Sequence, residues 1–242
     1  MSDNRGPWSA VYSRCKKLLG PTRLGMLDYV LDRTSKDPWG GPFNGQKARQ
    51  DLFRHLLQAC RPAAIIETGT YLGSTVEFMA ECSGLAHLFD RGCFAKMRLR
   101  KHHNVKLSFG DSREFITKFI EGEANKYTSH ALLFYLDAHW SEDLPLFDEV
   151  ATIVSSFSQA VVMIDDFQVP EDNGYGYDDY GVGKALIRGY IAPLVSQFEL
   201  AEFYPTTPST TESGSRRGCV VVTRDPSIIE ALKGISLLRR QV

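Results

Sequence analysis

The segment Ile65-Ile66-Glu67-Thr68-Gly69-Thr70-Tyr71-Leu72-Gly73-Ser74-Thr75 runs from an apolar strand pattern into a helical one. In open α/β sheets ligands bind at such strand ends. Gly69 and Gly73 would let the backbone approach a ligand closely. A helix opening at Ser74 and Thr75, with Thr70 in the turn before it, would offer free N–H groups to a carboxylate. Glu67 sets the sign of the ligand, since it would repel a pyrophosphate but suit an ammonium group. The spacing Glu-x-Gly-x-x-x-Gly also lacks the G-x-G-x-x-G of dinucleotide binders. The plainer reading is a glycine turn that only packs helix on strand.

Two further acidic positions follow. Asp90 closes the next strand pattern, about where an acidic residue meets ribose hydroxyls in such folds, roughly 20 residues beyond a glycine loop. Gly110-Asp111-Ser112 closes the third and could reach an adenine amino group, although Asp-Ser is also an N-cap for the helix from Arg113.

Tyr135-Leu136-Asp137-Ala138-His139-Trp140 and Met163-Ile164-Asp165-Asp166-Phe167 end two more strand patterns. Adjacent strand ends would gather Asp137, Asp165 and Asp166. Three carboxylates in one place repel, so they require a cation or raised pKa values. Oxygen-only ligands suit a hard ion such as Mg²⁺. His139 is a candidate general base because its unperturbed pKa lies near neutrality, with Asp137 or Asp166 the alternative. Taken singly, each Asp reads as a helix cap and His139 as a loop histidine.

The elements that must position these groups alternate. Strands are predicted at Ala63–Glu67, Ala86–Asp90, Val105–Phe109, Ala131–Asp137 and Ala160–Asp165, as short continuous apolar runs of the kind buried on both faces. Helices are predicted at Ser74–Cys82, Phe94–Lys101, Arg113–Ile120, Leu144–Phe157 and near Val182–Phe198. Strands Phe198–Phe203 and Cys219–Thr223 follow, joined without a helix, which predicts an antiparallel pair at the sheet edge, and a short helix starts at Pro226. The fold class is therefore α/β: a doubly wound, mostly parallel, Rossmann-like sheet with an N-terminal helical extension. Residues 1–60 form that extension and residues 61–242 the catalytic domain. Helices are expected around Val11–Leu19 and Leu24–Leu31, a loop at Asp37–Gly45, and a helix carrying Ala48, Leu52, Phe53, Leu56 and Leu57 that Arg61-Pro62 ends.

The 242 residues carry a net charge of -1, so they show no nucleic-acid footprint. The basic run Lys96–His103 reads as a solvated helix face. Five widely spaced cysteines make neither a disulfide framework nor a zinc site. With no apolar leader and no run approaching the ~20 residues of a membrane span, the expectation is a soluble cytoplasmic protein that does not engage membranes. N-terminal helices rich in Leu and Trp offer a surface for a homodimer.

Glu67–Thr75, Leu136–Trp140 and Ile164–Phe167 together resemble the motifs of class I S-adenosylmethionine methyltransferases, nearest the metal-dependent O-methyltransferases of the catechol and macrolide-sugar type. The resemblance spans roughly Ala63 to Thr223. It implies a seven-stranded sheet and an enzyme that methylates a hydroxyl of a small molecule or sugar, with S-adenosylmethionine and Mg²⁺ as cofactors. It implies that Glu67, Gly69, Thr70, Gly73, Ser74 and Thr75 hold the methionine end, Asp90 the ribose, Asp111 and Ser112 the adenine, and Asp137, Asp165 and Asp166 the metal. Asp137 also borders the cofactor. Where catechol-type enzymes have Asn, Asp166 stands here, as in the macrolide-sugar pattern. Trp140 replaces their Lys, so the base passes to His139. The segment Asp172–Gly181, with Tyr175, Tyr177 and Tyr180 among flexible glycines, reads as an aromatic lid over the acceptor or equally as a plain surface loop, and Asn44, Gln46 and Arg49 as further acceptor contacts. Competing readings are a hydroxylase-type relative that keeps cofactor and metal, a non-catalytic scaffold, and a nicotinamide enzyme, the last disfavoured by Glu67.

Overall fold

The computed structural model describes Tyr29 and residues 37–83, 86–89, 93–138 and 143–241. The helices expected around Val11–Leu19 and Leu24–Leu31, together with Asp90, His139 and Trp140, lie outside the described residues.

Among the described residues, helix α1 (Lys47–Cys60) leads into strand β1 (Ala64–Thr68). Helix α2 (Ser74–Ser83), β2 (Ala86–Phe89), α3 (Cys93–Leu99), β3 (Val105–Ser108), α4 (Ser112–Glu123), β4 (Leu132–Leu136), α5 (Leu146–Ser156) and β5 (Ala160–Asp165) then alternate. The chain closes through α6 (Arg188–Phe198), β6 (Ala201–Pro205), β7 (Cys219–Thr223), α7 (Pro226–Lys233) and β8 (Leu238–Arg240). The eight strands form one sheet in the order β3-β2-β1-β4-β5-β7-β6-β8. The first five are parallel. β7 slots antiparallel between β5 and β6, and β8 adds antiparallel to β6. The expected antiparallel pair is thus present, with β7 inside the sheet rather than at its edge. The additional strand β8 follows a three-residue pattern too short to read in advance. Helix α6 begins at Arg188, six residues after the expected start, because residues 178–186 form a hairpin instead.

The continuous apolar strands are covered on both faces. Ile66, Leu132, Phe134, Leu136, Val162, Ile164 and Val220 face α4, α5 and α6. Ile65, Leu133, Tyr135, Val161, Met163 and Val221 face α1, α2 and α7 through Leu52, Phe53, Leu56, Met79, Ile228 and Leu232. The segment from Phe43 to Leu56 is therefore built into the same core as the sheet. Arg61 takes a left-handed conformation (φ 45°) and ends α1 where Pro62 forbids its continuation.

The N-terminus of α1 is capped from far away. Gln46, at the N-cap position, makes no capping bond of its own. The Lys47 amide instead donates to Ser213 Oγ at 2.8 Å and the Ala48 amide to Glu212 Oε1 at 3.2 Å. These bonds satisfy amides that every helix start leaves open.

Candidate functional site

The strand ends of β1, β4 and β5 bring the sequence's acidic residues to one edge of the sheet. Glu67, 1% exposed, accepts the Thr70 hydroxyl at 2.9 Å. Gly69 follows with φ +86°, and a Cβ there would lie 2.2 Å from the Asp137 carbonyl oxygen. Its need for glycine is thus explained by the close passage of β1 past β4, not by a ligand. Gly73 also has positive φ (+79°), but a Cβ would find only ordinary contact with Ala95 and Leu99. Helix α2 opens at Ser74 as expected, and Thr75 Oγ1 accepts the Phe43 amide at 3.1 Å.

At the β3 end, Asp111 is the N-cap of α4, accepting the Arg113 amide, and it is paired with the Arg113 guanidinium at 2.8 Å. The Arg113 side-chain hydrogen bonds, chiefly, hold its carboxyl down at about 2 against the opposing effect of burial. Ser112 behind it is buried. The capping role is present whatever else this pair does.

Asp137, Asp165 and Asp166 each offer an oxygen within 4.8 Å of the others. Burial, then the charges of Asp165, Asp166, Glu67 and Asp178, push the Asp137 carboxyl well above the usual carboxylate range. Asp165 is 1% exposed and accepts from three donors: Arg49, the Tyr135 hydroxyl at 2.7 Å and Asn44 Nδ2 at 3.3 Å. Asp166, at φ 51°, is paired with Arg217 Nε at 2.5 Å. The other arm of Arg217 reaches Asp178. Arg49 thus answers Asp165, and Arg217 is shared by Asp166 and Asp178.

These arginines are what sequence reading missed. Arg49 was expected at an acceptor; it is 3% exposed and spends its guanidinium on Asp165 and the Arg217 carbonyl. Gln46, also expected at an acceptor, is fully buried. Its amide donates to the Arg217 carbonyl at 3.0 Å and its oxygen accepts the Arg217 amide at 2.8 Å. Both contacts correct the acceptor placement, since both side chains are buried and turned onto the protein's own groups.

The tyrosine-rich segment is likewise a set of fixed turns. Tyr175 is buried, with its hydroxyl on the Thr207 carbonyl, which removes it from an acceptor. Asp172 ties the segment to Ser209, and a Cβ on Gly174 would meet Ser209 Oγ at 2.2 Å. Tyr180 donates to Asp178, and Tyr177 and Tyr180 keep partial exposure. The basic run is not simply solvated either: the Arg98 side chain is 11% exposed and bridges Asp37 and Glu77. No described helix is long and apolar enough to cross a membrane.

No protein-family profile matches the chain, and no curated protein matches it. Solved structures do. The O-methyltransferase TomG from Streptomyces achromogenes, involved in tomaymycin synthesis and solved with SAM, aligns with a TM-score of 0.52 at 16% identity, over 93% of this chain and 100% of its own. A candidate caffeoyl-CoA O-methyltransferase from Staphylococcus aureus aligns with a TM-score of 0.52 at 15% identity, over 88% and 97%. Human methyltransferase-like protein 13, solved with SAH, aligns with a TM-score of 0.50 at 12% identity, over 76% and 88%. At these identities the likeness is one of fold: the chain has the class I methyltransferase architecture.

Proposed function

We propose that this chain is an S-adenosylmethionine-dependent O-methyltransferase acting on a hydroxyl of a small molecule or sugar, in natural-product or glycan tailoring, with a divalent metal such as Mg²⁺ at its acidic centre. The observation that carries the reading is the meeting of a buried Glu67 with Asp137 at adjacent strand ends of a methyltransferase-type sheet, close enough for the Glu67 charge to act on the Asp137 carboxyl.

In this reading Glu67, Gly69, Thr70, Gly73, Ser74 and Thr75 line the amino-acid end of the cofactor. Glu67 offers an ammonium a carboxylate shielded from water, where a charge pair is stronger. The N-terminus of α2 offers its amides to the carboxylate. Asp90 takes the ribose, and Asp111 and Ser112 border the adenine. When bound, S-adenosylmethionine supplies an electrophilic methyl group, and the chain's main task is to align an acceptor with it. His139 is assigned as the base that takes the acceptor's proton, with Asp137 the alternative. Tyr177 and Tyr180 remain as acceptor contacts, and residues 1–60 are assigned to acceptor binding and to a homodimer contact.

The acidic centre fits a metal by its donor set, which is oxygen throughout, and by its charge, which two guanidiniums leave negative. Asp137 and Asp166 would hold the ion. Asp165 would supply chiefly charge, since three protein donors already use most of its roughly four acceptor positions. Bound there, the metal supplies Lewis acidity toward the acceptor hydroxyl.

Calorimetric titration of the chain with S-adenosylhomocysteine, in Mg²⁺ and in EDTA, tests the cofactor half. Micromolar binding is expected. Glu67→Gln should weaken it about a hundredfold, since removing one partner of a buried charge pair costs about 2–5 kcal/mol. No binding by the unmodified chain in either buffer would end the proposal. Incubation with methyl-labelled cofactor and a panel of hydroxylated acceptors tests the transfer itself.

A further inference from the structure

The two guanidiniums of the acidic centre are held in different ways. Arg49 is enclosed, its side chain 2% exposed against an Asp165 side chain 1% exposed. It is anchored at both ends of its fork, by Asp165 and by the Arg217 carbonyl. It cannot leave without stranding a buried carboxylate. Arg217 is the reverse. Its backbone is pinned, with its amide and carbonyl both on the Gln46 side chain and its chain neighbours paired with Gly176. Its side chain is 24% exposed and lies against Asp166 and Asp178, themselves 18% and 24% exposed. A long side chain on a fixed backbone, partly open to solvent, is held less firmly than the enclosed Arg49.

Asp178 is also the root of a hairpin. The Leu186 amide donates to the Asp178 carbonyl at 2.8 Å, the Tyr180 amide to Lys184 at 3.1 Å and the Lys184 amide to Gly181 at 2.9 Å. Gly181 and Gly183 flank Val182 at the tip with φ of +106° and +74°, and Val182 stands fully in solvent. Three bonds tie this hairpin's root to the site: the Asp178 amide to the Asp166 carbonyl, the Gln168 amide to the Leu186 carbonyl, and the Arg217 guanidinium to the Asp178 carboxylate. Of these three, the last depends on charge.

We propose that the Arg217 guanidinium is the resident counter-cation of Asp166 and Asp178, that it competes with a divalent ion for the acidic centre, and that metal loading therefore loosens the 178–186 hairpin. Two cations on one carboxylate repel, so occupation by the ion drives the guanidinium off Asp166. The same movement takes it from Asp178. The inference rests on the metal reading above and adds to it a device that sets metal affinity and reports occupancy to the 178–186 hairpin.

The test uses the full chain and Mn²⁺ as probe, with free Mn²⁺ counted by electron paramagnetic resonance. Arg217→Gln should bind Mn²⁺ about tenfold tighter than the unmodified chain, the size of one unit-charge repulsion in a partly solvated site. Asp137→Asn should abolish binding in both backgrounds. Hydrogen exchange on the unmodified chain needs no variant: the Tyr180, Lys184 and Leu186 amides should lose protection at saturating Mn²⁺. Equal or weaker binding by Arg217→Gln, with Asp137→Asn still abolishing it, would overturn the competition and leave the metal reading standing. Rising protection of the hairpin would overturn the loosening. Absence of Mn²⁺ binding in both proteins, or binding indifferent to Asp137→Asn, would remove the metal reading and this inference together.

Discussion

The β1–α2 turn and the β5–β7 strand ends lie at the same end of the sheet with β4 between them, yet they are held by different means. The turn carries a bond of its own, Thr70 on Glu67 three residues away, with contacts from only some thirty residues off: the Phe43 amide on Thr75, and Trp39 against the 55% exposed Tyr71 at a ring separation of 5.6 Å. The β5–β7 side is pinned by side chains from distant parts of the chain: Arg49 is 116 residues from Asp165, and Gln46 is 171 from Arg217. A site can therefore be half motif and half clamp. The motif half is suited to a ligand that arrives and departs, and the clamp half to charges that must be kept in place.

The sharpest way to break this contrast is at Arg49. Arg49→Met leaves Asp165 as a buried charge beside Tyr135, and breaking a buried pair from one side costs about 3–5 kcal/mol. Urea denaturation should show that loss, with the slope of the transition unchanged. A loss below ~1 kcal/mol would mean that the clamp is not structural.

On the motif side, Gly69→Ala should cost about 2 kcal/mol or more, since it combines a left-handed backbone with a clash against the Asp137 carbonyl. Gly73→Ala has the same backbone strain without the clash and should cost about 1 kcal/mol. Equal losses by thermal or urea unfolding would mean that the close strand passage does not matter.

Asp111 gives a pH signature confined to the motif side. Its folded carboxyl titrates at about 2, below the unfolded value, so its contribution is complete above about pH 4. That contribution is lost as pH falls through 2. Asp111→Asn keeps the capping oxygen and should flatten that part of the stability–pH curve. Asp111→Ala should in addition lose about 1 kcal/mol at neutral pH, the worth of a helix cap.

The smallest effect concerns thiols. Burial pushes Cys60 and Cys219 up to about 12, whereas Cys82 is exposed. Among these three, Cys82 should react first with a thiol reagent at pH 8, and Cys219 only on unfolding. Early labelling of Cys219 would show that the β5–β7 side opens more readily than its clamps allow.

What could be read from the sequence follows the same division. The runs at Ile65, Leu133 and Val161 announced parallel strands because both faces of each are covered, and turn carboxylates at their ends followed from that periodicity. Strand Cys219–Thr223 was placed to the residue. The clamps left no such trace. An arginine that pairs 116 residues away has the same sequence context as one in solvent, and Gln46 folds onto a backbone whose approach depends on the whole sheet. The tyrosine segment misled for a related reason: glycines and tyrosines read as mobile, but Gly174 is required by the closeness of Ser209, and Tyr175 by a carbonyl at Thr207.

The distant capping of α1 has a consequence for how the chain acquires its structure. The helix's first amides wait for Glu212 and Ser213, which precede β7 and are made late. During synthesis α1 emerges early yet stays incomplete until nearly the whole chain is out. Closing such long loops is slow, so this pairing belongs to the late steps of folding. A chain stopped before Glu212 would lose more than its last strands: helix α1 would be left without a beginning.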